Sequence, residues 1–205
     1  MIYLSGVRRQ GMAYLATKRT GQPPFEGQVW AADNGRYNSP DKYTDEGYLG
    51  WLDSIIRDGC LFATAPDVVG DAAGTLLMSA PLYAPIRRLG YPVALVAQDG
   101  LERLMEFVPW DDIDCIFIGG TTEWKMGPGA RTVASEAKRR GKWLHMGRVN
   151  SLTRMQYAES IGCDSADGTV LKHDKSRPVQ SWERSVRQNP SLWGQHGPLK
   201  GESNG

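Results

Sequence analysis

The chain has 205 residues, 40% of them hydrophobic, and a formal net charge of +1. That length supports one domain with a real core, and the near-balanced charge gives no general attraction to nucleic acid or membrane. No apolar run approaches the ~20 residues that cross a bilayer, and the opening MIYLSGVRRQG lacks the apolar core of a signal peptide, so a cytoplasmic protein is expected.

Three cysteines, Cys60, Cys115 and Cys163, stand far apart in or beside apolar stretches. An odd, scattered set argues against a disulfide framework and a cysteine-based zinc site, and reads as buried small hydrophobes.

In chain order, MIYLS is a first strand candidate and QVWAAD (28–33) a second. A helix follows over TDEGYLGWLDSIIRDG, with Thr44 as candidate N-cap, a stripe of Tyr48, Leu52, Ile55 and Ile56, and Gly59 as a stop. CLFATAPD (60–67) is a strand. The stretch 71–90 reads helical, with Pro81 and Pro85 expected to bend or split it. PVALVAQDG (92–100) is a strand entering a turn, a short helix covers 100–107, and IDCIFIGG (113–120) is an apolar strand ending in two glycines. Pro128 suits the first turn of a helix that Gly141 ends. KWLHMG is a strand, SLTRMQYAESIG a helix with Ser151 as N-cap and Gly162 beyond its end, and CDSADGTV a last short strand. A final helix is expected over 178–188, followed by a Gly- and Pro-rich tail.

Strands and helices alternate throughout, and the strands are apolar without alternation, as in parallel sheets covered on both faces. No G-x-G-x-x-G or P-loop supports a nucleotide-cofactor sheet. Six or seven strands plus MIYLS fit a small or irregular (β/α)8 TIM-like barrel. Residues 1–188 are read as a single barrel domain and 189–205 as a flexible tail. Two basic segments stand out. Residues 172–187 hold five Lys/Arg against two acids, and KRRGK spans 138–142; each is read as solvated helix ends or as phosphate contacts.

The strand ends carry the polar residues: Asp33, Asp67, Gln98 with Asp99, Gly119 with Gly120, Gly147 with Arg148, and Asp167. In a barrel these ends converge on one face, where active sites are built. One carboxylate can attack an electrophilic sugar carbon and a second can move a proton. A third, with a glutamine amide, can read a base edge, and paired glycines let backbone approach a flat ligand. Asp164 and Asp167 lie close together in the last strand; Asp164 is read as structural. Trp124 is read as packing.

The ordered segments AADNG, APDVVGDA, VAQDG, FIGG, HMGRVNS and GCDSADGT, over residues 28–169, resemble the tRNA-guanine transglycosylase superfamily, and in particular its phage branch, the deazaguanine DNA transglycosylases. The resemblance implies an irregular (β/α)8 barrel that exchanges guanine for a 7-deazaguanine without breaking the strand. It assigns Asp167 as nucleophile, Asp33 to proton transfer or orientation, and Asp67, Gln98, Gly119 and Gly120 to the base. The tRNA enzymes' cysteine-rich zinc motif has no counterpart here, so DNA is expected as the substrate, with tRNA as the alternative. Asn34 stands where that family has Ser. Arg148 and Asn150 replace plainer residues; they are read as nucleic-acid contacts or as hydrogen bonds within the rim.

The expected ligands are DNA, free 7-deazaguanine and guanine. No metal or redox cofactor is expected, nor any membrane association; a homodimer or protein partner would complete the DNA groove. Encoded by a phage, the protein would work in the host cytoplasm. Two other readings stay open. One is a metal-dependent hydrolase using Asp33, Asp67, Asp99 and His145, although His145 reads better as packed. The other is a non-catalytic nucleic-acid-binding module.

Overall fold

The computed structural model describes residues 1–170. Eight parallel strands close into a barrel: β1 (Ile2–Ser5), β2 (Ala13–Thr17), β3 (Trp30–Asp33), β4 (Cys60–Thr64), β5 (Val93–Ala97), β6 (Cys115–Ile118), β7 (Trp143–Met146) and β8 (Ser165–Gly168), with β8 pairing back to β1. The helices are α1 (Asp45–Ser54), α2 (Ala72–Arg88), α3 (Thr122–Lys125), α4 (Pro128–Arg139) and α5 (Leu152–Ser160). This is the expected TIM-like barrel. The expected helix over 178–188 and the tail lie outside the described residues.

The barrel is irregular at its start. No α-helix separates β1, β2 and β3. Strand β2 is absent from the sequence reading: its AYLAT is short, and its flanks, RRQGM and KRTGQPP, carry no helical pattern to frame it. Between β3 and β4 the register shifts, Trp30 facing Cys60 but Ala32 facing Ala63. The extra residue in β4 is the signature of a bulge. It brings Thr64 beside Asn34, whose backbone and side-chain N–H groups both donate to Thr64 Oγ1, at 2.9 and 3.0 Å.

The caps follow local chemistry. Thr44, Asp71 and Ser151 each accept a backbone N–H of the first helical turn of α1, α2 and α5. Pro128 opens α4, and Gly141 and Gly162 adopt positive φ just beyond α4 and α5. Contrary to expectation, Pro81 and Pro85 do not split α2, which runs unbroken. Pro81 is exposed and Pro85 only half-buried, so the lost backbone bonds fall on the outer side of the helix, where water can satisfy the freed carbonyls. The expected helix over 100–107 is two 3₁₀ turns, Leu101–Arg103 and Met105–Phe107.

Two separate cores result. One packs the helices on the strands' outer faces, through residues such as Trp30, Leu95, Ile116 and Leu144. The other fills the barrel from within, through Leu4, Leu15, Ala31, Phe62, Ala94, Val96, Cys115 and Phe117. Side chains alternate along each strand, so the inward row continues to Asp33, Thr64, Gln98, Gly119, Gly147 and Asp167 at the strand ends. The three cysteines are free thiols; Cys115 and Cys163 are buried, and burial pushes all three thiols up, that of Cys60 to about 12.

Candidate active site

The C-terminal mouth of the barrel opens into a cavity of about 370 Å³, within the ~300–1,000 Å³ range of small-molecule sites. Asp33, Asp67, Gln98, Gly119, Gly120, Arg148, Asn150 and Asp167 all line it. The eight residues singled out in the sequence therefore share one site.

The carboxylates differ in their surroundings. Asp33 accepts the Gly35 N–H at 2.6 Å. Burial pushes its pKa up to about 7; the Gly35 bond opposes this, and the charges of Asp167 and Asp67 add to it. Asp67 is also raised by burial, against the lowering effect of Asn34, Arg36 and Gln98. Its Oδ2 accepts the Gln98 amide N–H at 2.7 Å, and Arg36 holds its backbone carbonyl at 2.6 Å.

Gln98 is more committed than a free base-reading amide. Besides donating to Asp67, its Oε1 accepts the Gly70 and Gly120 N–H groups at 3.0 and 3.1 Å. One Nε2 hydrogen remains for a ligand. The two glycines are similarly tied. Gly119 N–H donates to Ala97 O at 3.0 Å, and the Arg148 guanidinium donates to the Gly119 and Gly120 carbonyls. Their N–H groups are thus engaged within the protein, and their carbonyl oxygens keep a second lone pair each. A Cβ at Gly119 would stand 2.7 Å from Val96 Cγ1 and 3.0 Å from Gln98 Nε2, which explains the need for glycine there.

Arg148 adopts φ 60°, the one non-glycine residue with positive φ among the described residues. Its guanidinium also lies over the Tyr37 ring, 5.3 Å from the centroid. Asn150 Oδ1 accepts the Thr169 N–H at 2.6 Å. Both residues make hydrogen bonds within the rim. Asp99 does likewise, taking the Thr121 N–H and hydroxyl at 2.7 and 2.5 Å. Trp124 packs against the core and donates its indole N–H to Glu102 at 2.8 Å.

Asp164 and Asp167 serve opposite ends of β8. Asp164 sits at the N-terminal end, where it accepts the Leu144 N–H at 2.8 Å and bonds Lys138 through both oxygens. Asp167 sits at the mouth. The basic stretch 138–142 belongs to the Asp164 end: Arg139 and Arg140 pair with Glu136, and Lys142 caps the Ile113 carbonyl. The basic segment 172–187 lies outside the described residues.

Two buried groups join the site beyond the preferred sequence reading, which took His145 as packed, with metal ligation as the alternative, and did not single out Lys125. His145, fully buried, meets Asp167 Oδ1 through Nε2 at 3.0 Å and Ser165 Oγ through Nδ1 at 2.8 Å. Strand parity was the available signal, since His145 precedes Gly147 by two and so shares its inward face. Lys125, also fully buried, donates to the Gly147 carbonyl at 2.7 Å; burial and Arg148 lower its pKa to about 7 against the pull of Asp167. No signal in the sequence marks this lysine.

The set Asp33, Asp67, Asp99 and His145 does not gather around a point, and no group of three or more His, Cys, Asp or Glu among the described residues is placed to hold a metal ion. No helix among them is long and apolar enough to cross a membrane.

No protein-family model matches the chain, and no curated protein does. Among solved structures the chain is similar to one described as native KDPGal, at 10% identity and TM-score 0.48, over 93% of this chain and 95% of that one. It is similar to a designed cube-shaped protein cage made by fusing symmetric oligomeric domains, at 10% identity and TM-score 0.48, over 83% of this chain and 56% of that one. A third is the YkuI protein of Bacillus subtilis, with an EAL domain, at 16% identity and TM-score 0.41, over 80% of this chain and 46% of that one. None of these likenesses bears on the chemistry of the site.

Proposed function

We propose that the chain is an enzyme, a base-exchanging transglycosylase that replaces guanine in DNA with a 7-deazaguanine through a covalent aspartyl-sugar intermediate. The observation that carries this reading is that Asp167 and Asp33 face one cavity, with Asp33 holding its proton up to about pH 7. A nucleophile and a proton donor are thereby available together near neutrality.

The target nucleotide enters the mouth unstacked. Asp167 Oδ2 attacks C1′, the C1′–N9 bond breaks, and the electron pair goes to N9, which takes the Asp33 proton. Guanine leaves, and the sugar stays as an ester of Asp167. The incoming deazaguanine occupies the same cavity, gives its N9 proton to Asp33, and attacks C1′ to expel the Asp167 carboxylate. Asp67 is the group best placed to accept a hydrogen bond from the base edge, held in position by Gln98. DNA is chosen over tRNA on the sequence resemblance to the phage branch.

Exchange of labelled guanine into DNA and tRNA in parallel, followed by mass analysis of the digested nucleosides, tests the reading. Label entering DNA supports it, label entering tRNA alone moves the substrate, and no label in either refutes base exchange.

A further inference from the structure

We infer that His145 is a positioning residue that fixes which oxygen of Asp167 reacts; this rests on the reading of Asp167 as the nucleophile. Four inward side chains of β7 and β8 form one hydrogen-bonded chain. Trp143 Nε1–H donates to Ser165 Oγ at 2.8 Å, Ser165 Oγ meets His145 Nδ1 at 2.8 Å, and His145 Nε2 meets Asp167 Oδ1 at 3.0 Å. Register places His145 directly opposite Ser165, so the chain crosses the seam between the two strands and rises along it.

The direction of the chain follows from its first member. An indole N–H only donates, so Ser165 Oγ accepts there and has its own hydrogen to give. The next polar atom is Nδ1. With Nδ1 accepting, the imidazole carries its proton on Nε2 and donates it to Asp167 Oδ1. The ring cannot turn away, because Phe117 and Phe62 flank it with centroids at 4.4 and 5.0 Å.

The consequence is an asymmetric carboxylate. Oδ1 is engaged below, toward the barrel interior, and Oδ2 is the oxygen left for the cavity. During attack Oδ2 forms the bond to C1′ while Nε2–H stays on the histidine, so no proton moves along the chain. When Asp167 later departs as a carboxylate, the same N–H receives the returning negative charge. A carboxylate so held keeps its attack angle through both half-reactions, and misplacement of a reacting group by about 1 Å can cost on the order of a hundredfold in rate.

Three variants and one spectrum test this. His145→Phe keeps the ring packing and removes the N–H; kcat for guanine exchange is expected to fall about ten- to a hundredfold with KM little changed. His145→Gln places an amide N–H near the old Nε2 position and is expected to recover most of the loss. Ser165→Ala, which touches neither cavity nor substrate, is expected to lower kcat several-fold by releasing the tautomer. Thermal melts confirm that each variant folds. Independently of activity, ¹⁵N spectra of the imidazole are expected to show the Nε2–H tautomer, with a downfield proton that Asp167→Ala removes. A folded His145→Phe with wild-type kcat, a Gln variant no better than Phe, or an Nδ1–H tautomer overturns the inference. If the wild type exchanges no base, the proposed function falls, while the spectrum still decides the hydrogen-bonded chain.

Discussion

Asp33 and Asp167 line one cavity from strand ends three strands apart around the barrel, those of β3 and β8, and the charge of Asp167 helps keep a proton on Asp33. Burial is the larger cause, but the pairing links the two groups functionally: the ionised nucleophile keeps Asp33 protonated to higher pH. The pH dependence follows directly. Guanine release should fall as pH rises through about 7, where Asp33 loses its proton. Asp33→Asn should abolish that limb in single-turnover assays across pH 5–9.

The same group links stability to pH. Its folded pKa, about 7, lies above the ordinary value of 3.8. Its stabilising contribution is therefore full below about pH 4 and lost as pH rises through 7. The melting temperature of Asp33→Asn relative to wild type should be near parity at pH 4 and higher at pH 8, by up to ~4 kcal/mol in free energy. A constant difference across that range would contradict the buried proton.

Asp167→Asn should lower exchange by more than about a thousandfold, because an amide oxygen is a poor nucleophile. The fold should persist, since Asn Oδ1 still accepts the His145 N–H. Intact-protein mass spectrometry should show a sugar adduct on the wild type and none on the variant.

Gln98 holds three groups from two loops: Asp67 and Gly70 after β4, and Gly120 after β6. Gln98→Leu keeps the volume and leaves buried N–H groups and a carboxylate oxygen without partners, a loss of about 2–4 kcal/mol by denaturant unfolding. Base affinity should weaken in parallel, because Asp67 loses its support.

Gly147→Ala tests the space around the nucleophile. An added Cβ would stand 2.6 Å from Phe117 Cε1 and 3.3 Å from Asp167 Oδ1. The ring must shift, and with it the His145 and Asp167 alignment. A kcat loss of about tenfold or more is expected with small effect on KM.

The sequence carried the fold through local signals. Apolar strands, caps such as Thr44 and Ser151, and glycines beyond helix ends marked seven of the eight strands and the longer helices between them. Strand β2 was lost because nothing helical frames it. The site was legible because the strand ends hold unusual residues, and convergence at one face is a property of barrels. The partners of those residues were not legible. Gln98 reaching Gly70, or Arg148 reaching Gly119 and Gly120, depends on loop conformations that no local pattern encodes. His145 looked like a packed histidine and is one; its apolar walls are what hold it against Asp167.

Arg148 joins three separate loops, resting on Tyr37 after β3, binding the Gly119 and Gly120 carbonyls after β6, and standing itself after β7. Its backbone stays in the left-handed region at a cost of about 1–2 kcal/mol. Displacing the guanidinium would break the Tyr37 contact and both carbonyl bonds at once, so a single side chain couples three stretches of the mouth.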